Sequence, residues 1–226
     1  NMLEKYHTVV IGGGCLGVST AISIARKLGS NQSNNDVCIL EKSVLAGGIS
    51  SRHSGIIRSA NASIQAATFA EQANDMWRSI IDFWGVNITP DKPGAIWIAR
   101  NDKKEAAKTW IDLEKNLNKS NIDFYRVKSK EIKELTNNFI RINEEHEIYF
   151  HEPNAMLLDP IKVRNAMYHA LDINNVKLKE NTRVTDFELL PGKKIKKIKT
   201  NNGPIFAENV INAAGGWSPQ IFDTIG

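Results

Sequence analysis

"VVIGGGCLGVSTA", residues 9–21, places four glycines in six positions directly behind an apolar run. Glycine at this density raises the question of what must approach the backbone so closely. The run before it, "YHTVVI" (6–11), is short, rich in β-branched residues and stops at glycine, as a buried strand does. Leu16, Ile22, Ile24 and Leu28 then recur at helical spacing and predict a helix over 14–28. A polar loop, "GSNQSNN" (29–35), leads into a second strand, "DVCILE" (36–41). Strand, glycine turn, helix and strand make one βαβ unit, which implies a parallel sheet.

Gly12, Gly14 and Gly17 spell G-x-G-x-x-G between that strand and that helix, with Gly13, Cys15 and Leu16 filling the turn. The first glycine permits the tight turn, the second lets backbone approach a pyrophosphate, and the third allows close helix–strand packing. The helix N-terminus then offers free N–H groups and partial positive charge to phosphates. Glu41 ends the second strand, where an acid accepts hydrogen bonds from ribose hydroxyls. An acid here, rather than a small residue with a nearby arginine, disfavours a 2′-phosphate and so disfavours NADP. The plainer reading is a glycine turn with no nucleotide. The agreement of strand, helix, second strand and terminal acid favours the dinucleotide.

Residues 42–62 form a long segment rich in Gly, Ser and Ala without a clear period, and such loops in compact domains are usually functional or disordered. Beyond it the pattern predicts a helix over 62–85, a strand over 94–100 and a charged amphipathic helix over 102–119. Ser129 reads as the cap of a short helix over 130–135, and 147–152 as a strand. Asp159-Pro160 reads as N-cap and first position of a helix over 160–171. Short β runs between 176 and 212, broken by "PGKK" and "NNGP", read as a meander that re-enters glycine at "NVINAAGG". The predicted class is α/β, a Rossmann-type domain with a parallel sheet interleaved with an α+β domain carrying a mixed or antiparallel sheet.

With 226 residues, 42% of them hydrophobic, the chain can bury a substantial core. No apolar stretch reaches the roughly 20 residues that span a bilayer. "NMLEKYH" lacks the charged-then-apolar pattern of a secretion signal, and Cys15 and Cys38 read as unpaired thiols, so a reducing, cytoplasmic setting is expected. Net charge is only +4. The densest basic run, "GKKIKKIKTNNG" (192–203), has no interleaved aromatics for base stacking and ends in a turn signal; it reads as a solvated hairpin strand, not a nucleic-acid surface. His146, His151 and His169 share no metal-ligand spacing, and no metal site is expected. Trp77, Trp84, Trp97 and Trp110 read as packing residues.

"TVVIGGGCLGVSTAISIARKLG", "VCILEK", "GGISSRHSGIIRS" and "VINAAGGWS" together resemble the D-amino-acid oxidase superfamily of FAD enzymes, which includes sarcosine oxidase-like, glycine oxidase-like and dye-linked proline dehydrogenase-like proteins. The resemblance covers nearly the whole chain, and "NAAGGWS" separates it from NAD-dependent Rossmann enzymes. It implies FAD as cofactor, with residues 1–85 and 156–226 as two parts of the FAD-binding domain and 86–155 as part of a substrate domain. It implies that the glycine turn holds the pyrophosphate, that Glu41 holds the adenosine ribose and that Lys42 lies near adenine. Ser50, Ser51, Arg52 and His53 would run past pyrophosphate and flavin. Val184 would offer backbone groups to adenine, and Ala213, Ala214 and Gly215 would let the sheet pass close to the cofactor. Trp217 could border the flavin.

In dimethylglycine dehydrogenase-like and sarcosine dehydrogenase-like relatives a histidine after a similar stretch attaches covalently to the flavin. His53 is therefore read either as such an anchor or, preferably, as a polar loop residue bonding a phosphate or backbone group. In sarcosine oxidase-like proteins the arginine of an "I-I-R" stretch helps hold the substrate carboxylate, which makes Arg58 of "GIIR" the candidate clamp. A surface or ion-paired arginine is the alternative. The implied reaction is oxidation of an amino or N-alkyl amino acid by hydride transfer to flavin N5, with a 2-hydroxy acid or glycerol 3-phosphate as runner-up and an inactive FAD-binding fragment as a third reading. The electron acceptor is left open. Relatives continue well past "NAAGGWS", so the rest of the pocket is expected from a further segment or another subunit.

Overall fold

A computed structural model describes residues 4–29, 36–61, 63–192 and 194–225. Most of the "GSNQSNN" loop, Ala62 and Lys193 of the "PGKK" turn lie outside these residues. The chain divides into two units: Asn1–Ser54 with Ile80–Ile88 and Pro160–Gly226, and Gly55–Ser79 with Thr89–Asp159.

The first unit opens with β1 (Glu4–Ile11), α1 (Cys15–Leu28) and β2 (Val37–Leu40). The second unit begins with β3 (Ile56–Ile57) and α2 (Ile64–Arg78). After α3 (Ile80–Trp84), which belongs to the first unit, the second continues with β4 (Ala95–Arg100), α4 (Lys104–Lys119) and β5 (Tyr125–Val127). It closes with α5 (Ser129–Leu135), β6 (Glu147–Glu152) and β7 (Met156–Leu157). The chain then returns to the first unit through α6 (Pro160–Ile173), β8 (Lys177–Lys179), β9 (Val184–Leu189), β10 (Ile195–Thr200), β11 (Gly203–Asn212) and α7 (Ser218–Asp223).

The first unit is built on a six-stranded sheet of order β8-β2-β1-β11-β10-β9. The four strands from β8 to β11 run parallel, and β10 and β9 extend the sheet antiparallel. Every residue of β2 is buried, as expected of a parallel strand covered on both faces. Tyr6, Val9, Ile11, Cys38, Leu40, Phe187, Ile198 and Ile205 form one of its apolar clusters. In register, Ile11 stands level with Leu40 on one side and Asn212 on the other. The three central strands therefore end on one line, and the segments leaving them start from the same edge of the sheet.

The second unit has a three-stranded antiparallel sheet, β4-β6-β5, and a short β3–β7 ribbon. Its core is aromatic: the rings of Phe124 and Phe150 stack 5.1 Å apart, Trp110 lies 5.8 Å from Phe150, and Trp97 lies 5.4 Å from Trp110. Ala107, Leu113 and Leu117 of α4 are buried in this unit, Leu113 and Leu117 in the same cluster as those rings.

Four expectations from sequence are corrected. The single helix over 62–85 is two, because Ser79 terminates α2, whose carbonyl at Asp75 accepts the Ser79 N–H. Residues 55–79 and 156–159, grouped with the nucleotide-binding part, fall in the second unit, and 86–88, grouped with the substrate domain, fall in the first. Ser129 is the first helical residue of α5, with Lys128 at the cap position and no side-chain cap bond. Within the anticipated meander, β9–β11 is antiparallel, but β8 leaves it to pair in parallel with β2.

Burial pushes the Cys38 thiol from its ordinary 9.0 up to about 12 and raises the Tyr6 phenol in the same core. Both shifts disfavour the anion, so the stability they contribute is complete below pH ~9 and is lost as pH rises toward the folded-state values. Urea midpoints measured across this range should fall above pH ~9, and the fall should shrink in Cys38→Ala.

Candidate functional site

The glycine turn sits where β1, β2 and β11 end. Gly12 has φ +110°, and a Cβ there would lie 2.4 Å from the Ala213 carbonyl oxygen. A Cβ on Gly17 would lie 1.9 Å from the Gly12 oxygen. No other residue type fits either position without moving backbone. The approach is locked by hydrogen bonds from Gly12 N–H to Leu40 O (2.9 Å) and from Ala213 N–H to Ile11 O (2.8 Å). Gly14 caps α1 without a side-chain bond, and the first turn of α1 carries no acid of its own. Ser50 Oγ accepts the Cys15 N–H at 3.0 Å, which ties the 46–53 loop to that helix start.

Glu41 is the second organiser of this edge. One carboxylate oxygen accepts the Gly13 N–H at 2.8 Å and the other accepts the Ser43 N–H at 2.9 Å. Its backbone joins Lys179 O and Thr182 N–H, so the segment leading to Val184 is bonded alongside it. Val184 itself opens β9, opposite Thr200. Lys42 lies over the Trp217 ring with Nζ 3.3 Å from its centroid. Desolvation there lowers the Lys42 pKa, and the Glu41 charge opposes the shift. Ser51 donates to Ala46 O at 2.6 Å, and His53 Nε2 lies 3.2 Å from Ser50 O, so both residues bond backbone within their own loop. Arg52 and His53 are exposed. After β11, the Ala214 N–H is held by Asn212 Oδ1 at 3.1 Å. A Cβ added at Gly215 or Gly216 would meet nothing within 4 Å, which leaves this stretch of backbone open to an incoming group.

The structure thus brings Gly12, Gly13, Gly14, Cys15, Leu16, Gly17, Glu41, Lys42, Ser50, Ala213, Ala214 and Gly215 to one edge of the first unit. A dinucleotide fits this edge: glycines without Cβ, a helix start whose cap residue carries no side chain, and a strand-terminal acid. Sequence reasoning missed Glu180, which directly succeeds β8 and accepts both the Leu45 N–H and the Tyr168 hydroxyl at 2.6 Å, fixing the start of the same loop.

Arg58 belongs to the second unit. It comes directly after β3, whose entry is set by Gly55 (φ +75°), where a Cβ would lie 2.0 Å from Leu158 O. The residue is exposed, and its guanidinium donates to Ala60 O and stacks on Trp97 at 4.6 Å. Among the described residues it forms no ion pair. Trp97, read from sequence as a packing residue, therefore also carries Arg58. Glu152 was missed altogether: at 1% exposure it accepts Ser59 N–H (2.5 Å), Ala60 N–H (3.2 Å) and Trp97 Nε1–H (3.0 Å). Nothing in "YFHEPN" distinguishes this glutamate from a solvated strand-end acid.

Residues 7–226 match the DAO family, FAD-dependent oxidoreductases, and the chain belongs to it. The cofactor of the glycine edge is accordingly FAD. Among curated relatives, the sarcosine oxidase subunit beta of Arthrobacter sp is 26% identical over 99% of this chain and 54% of that protein. The mitochondrial dimethylglycine dehydrogenase of Rattus norvegicus is 24% identical over 99% of this chain and 25% of its own length. Among solved structures, L-proline dehydrogenase from P.horikoshii superposes with TM-score 0.82 at 24% identity, covering 100% of this chain and 57% of that one. Glycine oxidase from Geobacillus kaustophilus gives TM-score 0.81 at 19% identity, over 99% of this chain and 59% of that one. The chain spans about half the length of the first of these relatives and of both structures.

Gly17→Ala should lower both stability, by about 1–3 kcal/mol from overpacking, and FAD affinity. Thermal melts with and without FAD check both effects: the variant should melt lower and gain less from added FAD than the parent chain.

Proposed function

We propose that this chain forms the FAD-binding part and a substrate-binding part of an enzyme that oxidises an amino or N-alkyl amino acid to its imine. The observation that carries the proposal is Arg58: an exposed residue whose guanidinium is fixed on an indole face and paired with no carboxylate among the described residues. A planar guanidinium donates two parallel hydrogen bonds to a carboxylate and so orients the substrate as well as binding it. When bound, FAD supplies the two-electron acceptor for the substrate C–H bond. The protein's part is placement: the glycine edge holds the cofactor, and Arg58 holds the carboxylate. Productive placement alone lowers a barrier by several kcal/mol.

Carboxylate binding does not separate amino acids from 2-hydroxy acids. The choice of an amino substrate is supported by the names of the relatives, sarcosine oxidase and dimethylglycine dehydrogenase. Residues that complete the flavin pocket are proposed to come from beyond this span, in the same polypeptide or in a second subunit. A cytoplasmic setting is supported by the free thiols of Cys15 and Cys38.

The test is anaerobic mixing of the FAD-loaded chain with sarcosine, proline, glycine, 2-hydroxyglutarate or glycerol 3-phosphate while the visible flavin band is monitored. Bleaching by an N-alkyl or amino acid supports the proposal; bleaching by a hydroxy acid alone overturns it. Failure with every compound, despite bound FAD, would favour a cofactor-binding fragment. Arg58→Met should raise the concentration of substrate needed for half-maximal bleaching and leave the FAD spectrum unchanged.

A further inference from the structure

Glu152 is almost completely buried, and a carboxylate is costly to take out of water unless donors surround it. An apolar side chain at this strand end would avoid that cost, so the identity of its donors is informative. They come from two places: the Ser59 and Ala60 peptides and the Trp97 indole. These are also the two places that hold Arg58. The guanidinium donates to Ala60 O and lies on the Trp97 ring. Each contact of Arg58 is thus one hydrogen bond removed from Glu152, and the four residues close a ring.

We infer that Glu152 is a positioning residue for the substrate carboxylate: it fixes the arginine clamp in advance through the 59–60 peptides and the Trp97 indole. The inference rests on the reading of Arg58 as that clamp. A free arginine side chain loses substantial rotamer freedom when it seizes a ligand, and holding it beforehand removes that loss from the binding step. The ring supplies the constraint from both sides of the guanidinium. Ala60 O fixes one donor, the indole face fixes the plane, and Glu152 ties the carbonyl-bearing loop to the ring. Ser59 adds a further brace, since its hydroxyl donates to Glu71 and accepts from Asn74 Nδ2 at 2.6 Å.

The test uses NMR on the full chain, tracking the Arg58 Nε–H and Trp97 Nε1–H signals while acetate or sarcosine is added. In the parent chain the carboxylate should shift the Arg58 signal. Glu152→Gln places an amide donor against one of three N–H donors. It should move the Trp97 indole signal and raise the ligand concentration needed at Arg58 about tenfold, the cost of one buried hydrogen bond. Leu117→Ala, a control in the same core, should lower thermal stability without changing that concentration. If Glu152→Gln titrates like the parent while Arg58→Met does not respond, the positioning role is overturned and the clamp stands. If neither acetate nor sarcosine moves the Arg58 signal of the parent, the clamp reading itself fails and the inference with it. Should Glu152→Gln not fold, Glu152→Asp decides: it keeps the charge, leaves Trp97 and Arg58 intact, and withdraws the acceptor oxygens from all three donors by one methylene. Weaker binding then supports the inference, and unchanged binding overturns it.

Discussion

The first unit turns on a backbone crossing. At the end of β1 the chain passes so close to the end of β11 that a single methyl group on Gly12 would overlap the Ala213 carbonyl. One turn later Gly17 lies against Gly12 itself. This closeness does three things together. It seats α1 against the sheet, aims the helix start at the strand ends, and gathers peptide groups at that edge with the Glu41 and Ser50 side chains beside them. A pyrophosphate needs such an edge, because its oxygens are best met by N–H groups at short range. The level ending of β1, β2 and β11 makes the arrangement possible, since a one-residue slip of any strand would move its last residue away from the line.

Around both candidate centres, glutamates do work usually left to turns. Glu41 accepts N–H groups from residues 13 and 43, Glu180 from residue 45, and Glu152 from residues 59 and 60. All three hold irregular backbone that no sheet or helix ladder satisfies. The 42–61 segment is long and poor in regular structure, yet its peptides are pinned at 45, 59 and 60 by carboxylates distant in sequence and at 43 by the neighbouring Glu41. Carboxylates suit the task because one group offers acceptor sites on two oxygens and can serve peptides from different directions. Within each unit the peptides held in this way keep a defined path, from which Ser50 reaches the Cys15 N–H and Arg58 reaches the Trp97 ring.

Much of this was legible from sequence, for physical reasons that also explain what was not. The βαβ unit could be read because each part is local: an apolar run, a glycine turn, a 3.6-residue period and a second apolar run. Gly12, Gly17 and Glu41 could be placed because their spacing along the chain fixes their spacing in the fold. The partners of Glu152 could not, because residue 152 meets residues 59, 60 and 97 only through tertiary pairing. The break at Ser79 was obscured for a related reason: α2 and α3 share a continuous helical pattern, and only their packing into different units separates them. The parallel pairing of β8 with β2 was hidden in the same way, since short β runs before a meander look alike until the sheet order is known.

That order has a consequence for assembly. Glu4 of β1 pairs with Ile205 of β11, so the central parallel pair joins the two ends of the described chain, with the whole second unit lying between them in sequence. The glycine edge cannot exist before residue 213 is in place, because the Ala213 carbonyl forms part of it. The second unit depends on no such closure: its sheet, its aromatic stack and the Glu152 ring all lie within residues 55–159. Long-range parallel pairing is slow to form because loop closure is unfavourable until the contacts it permits are made. Arg58 can therefore be set by comparatively local folding, whereas the glycine edge is completed only when β11 docks beside β1.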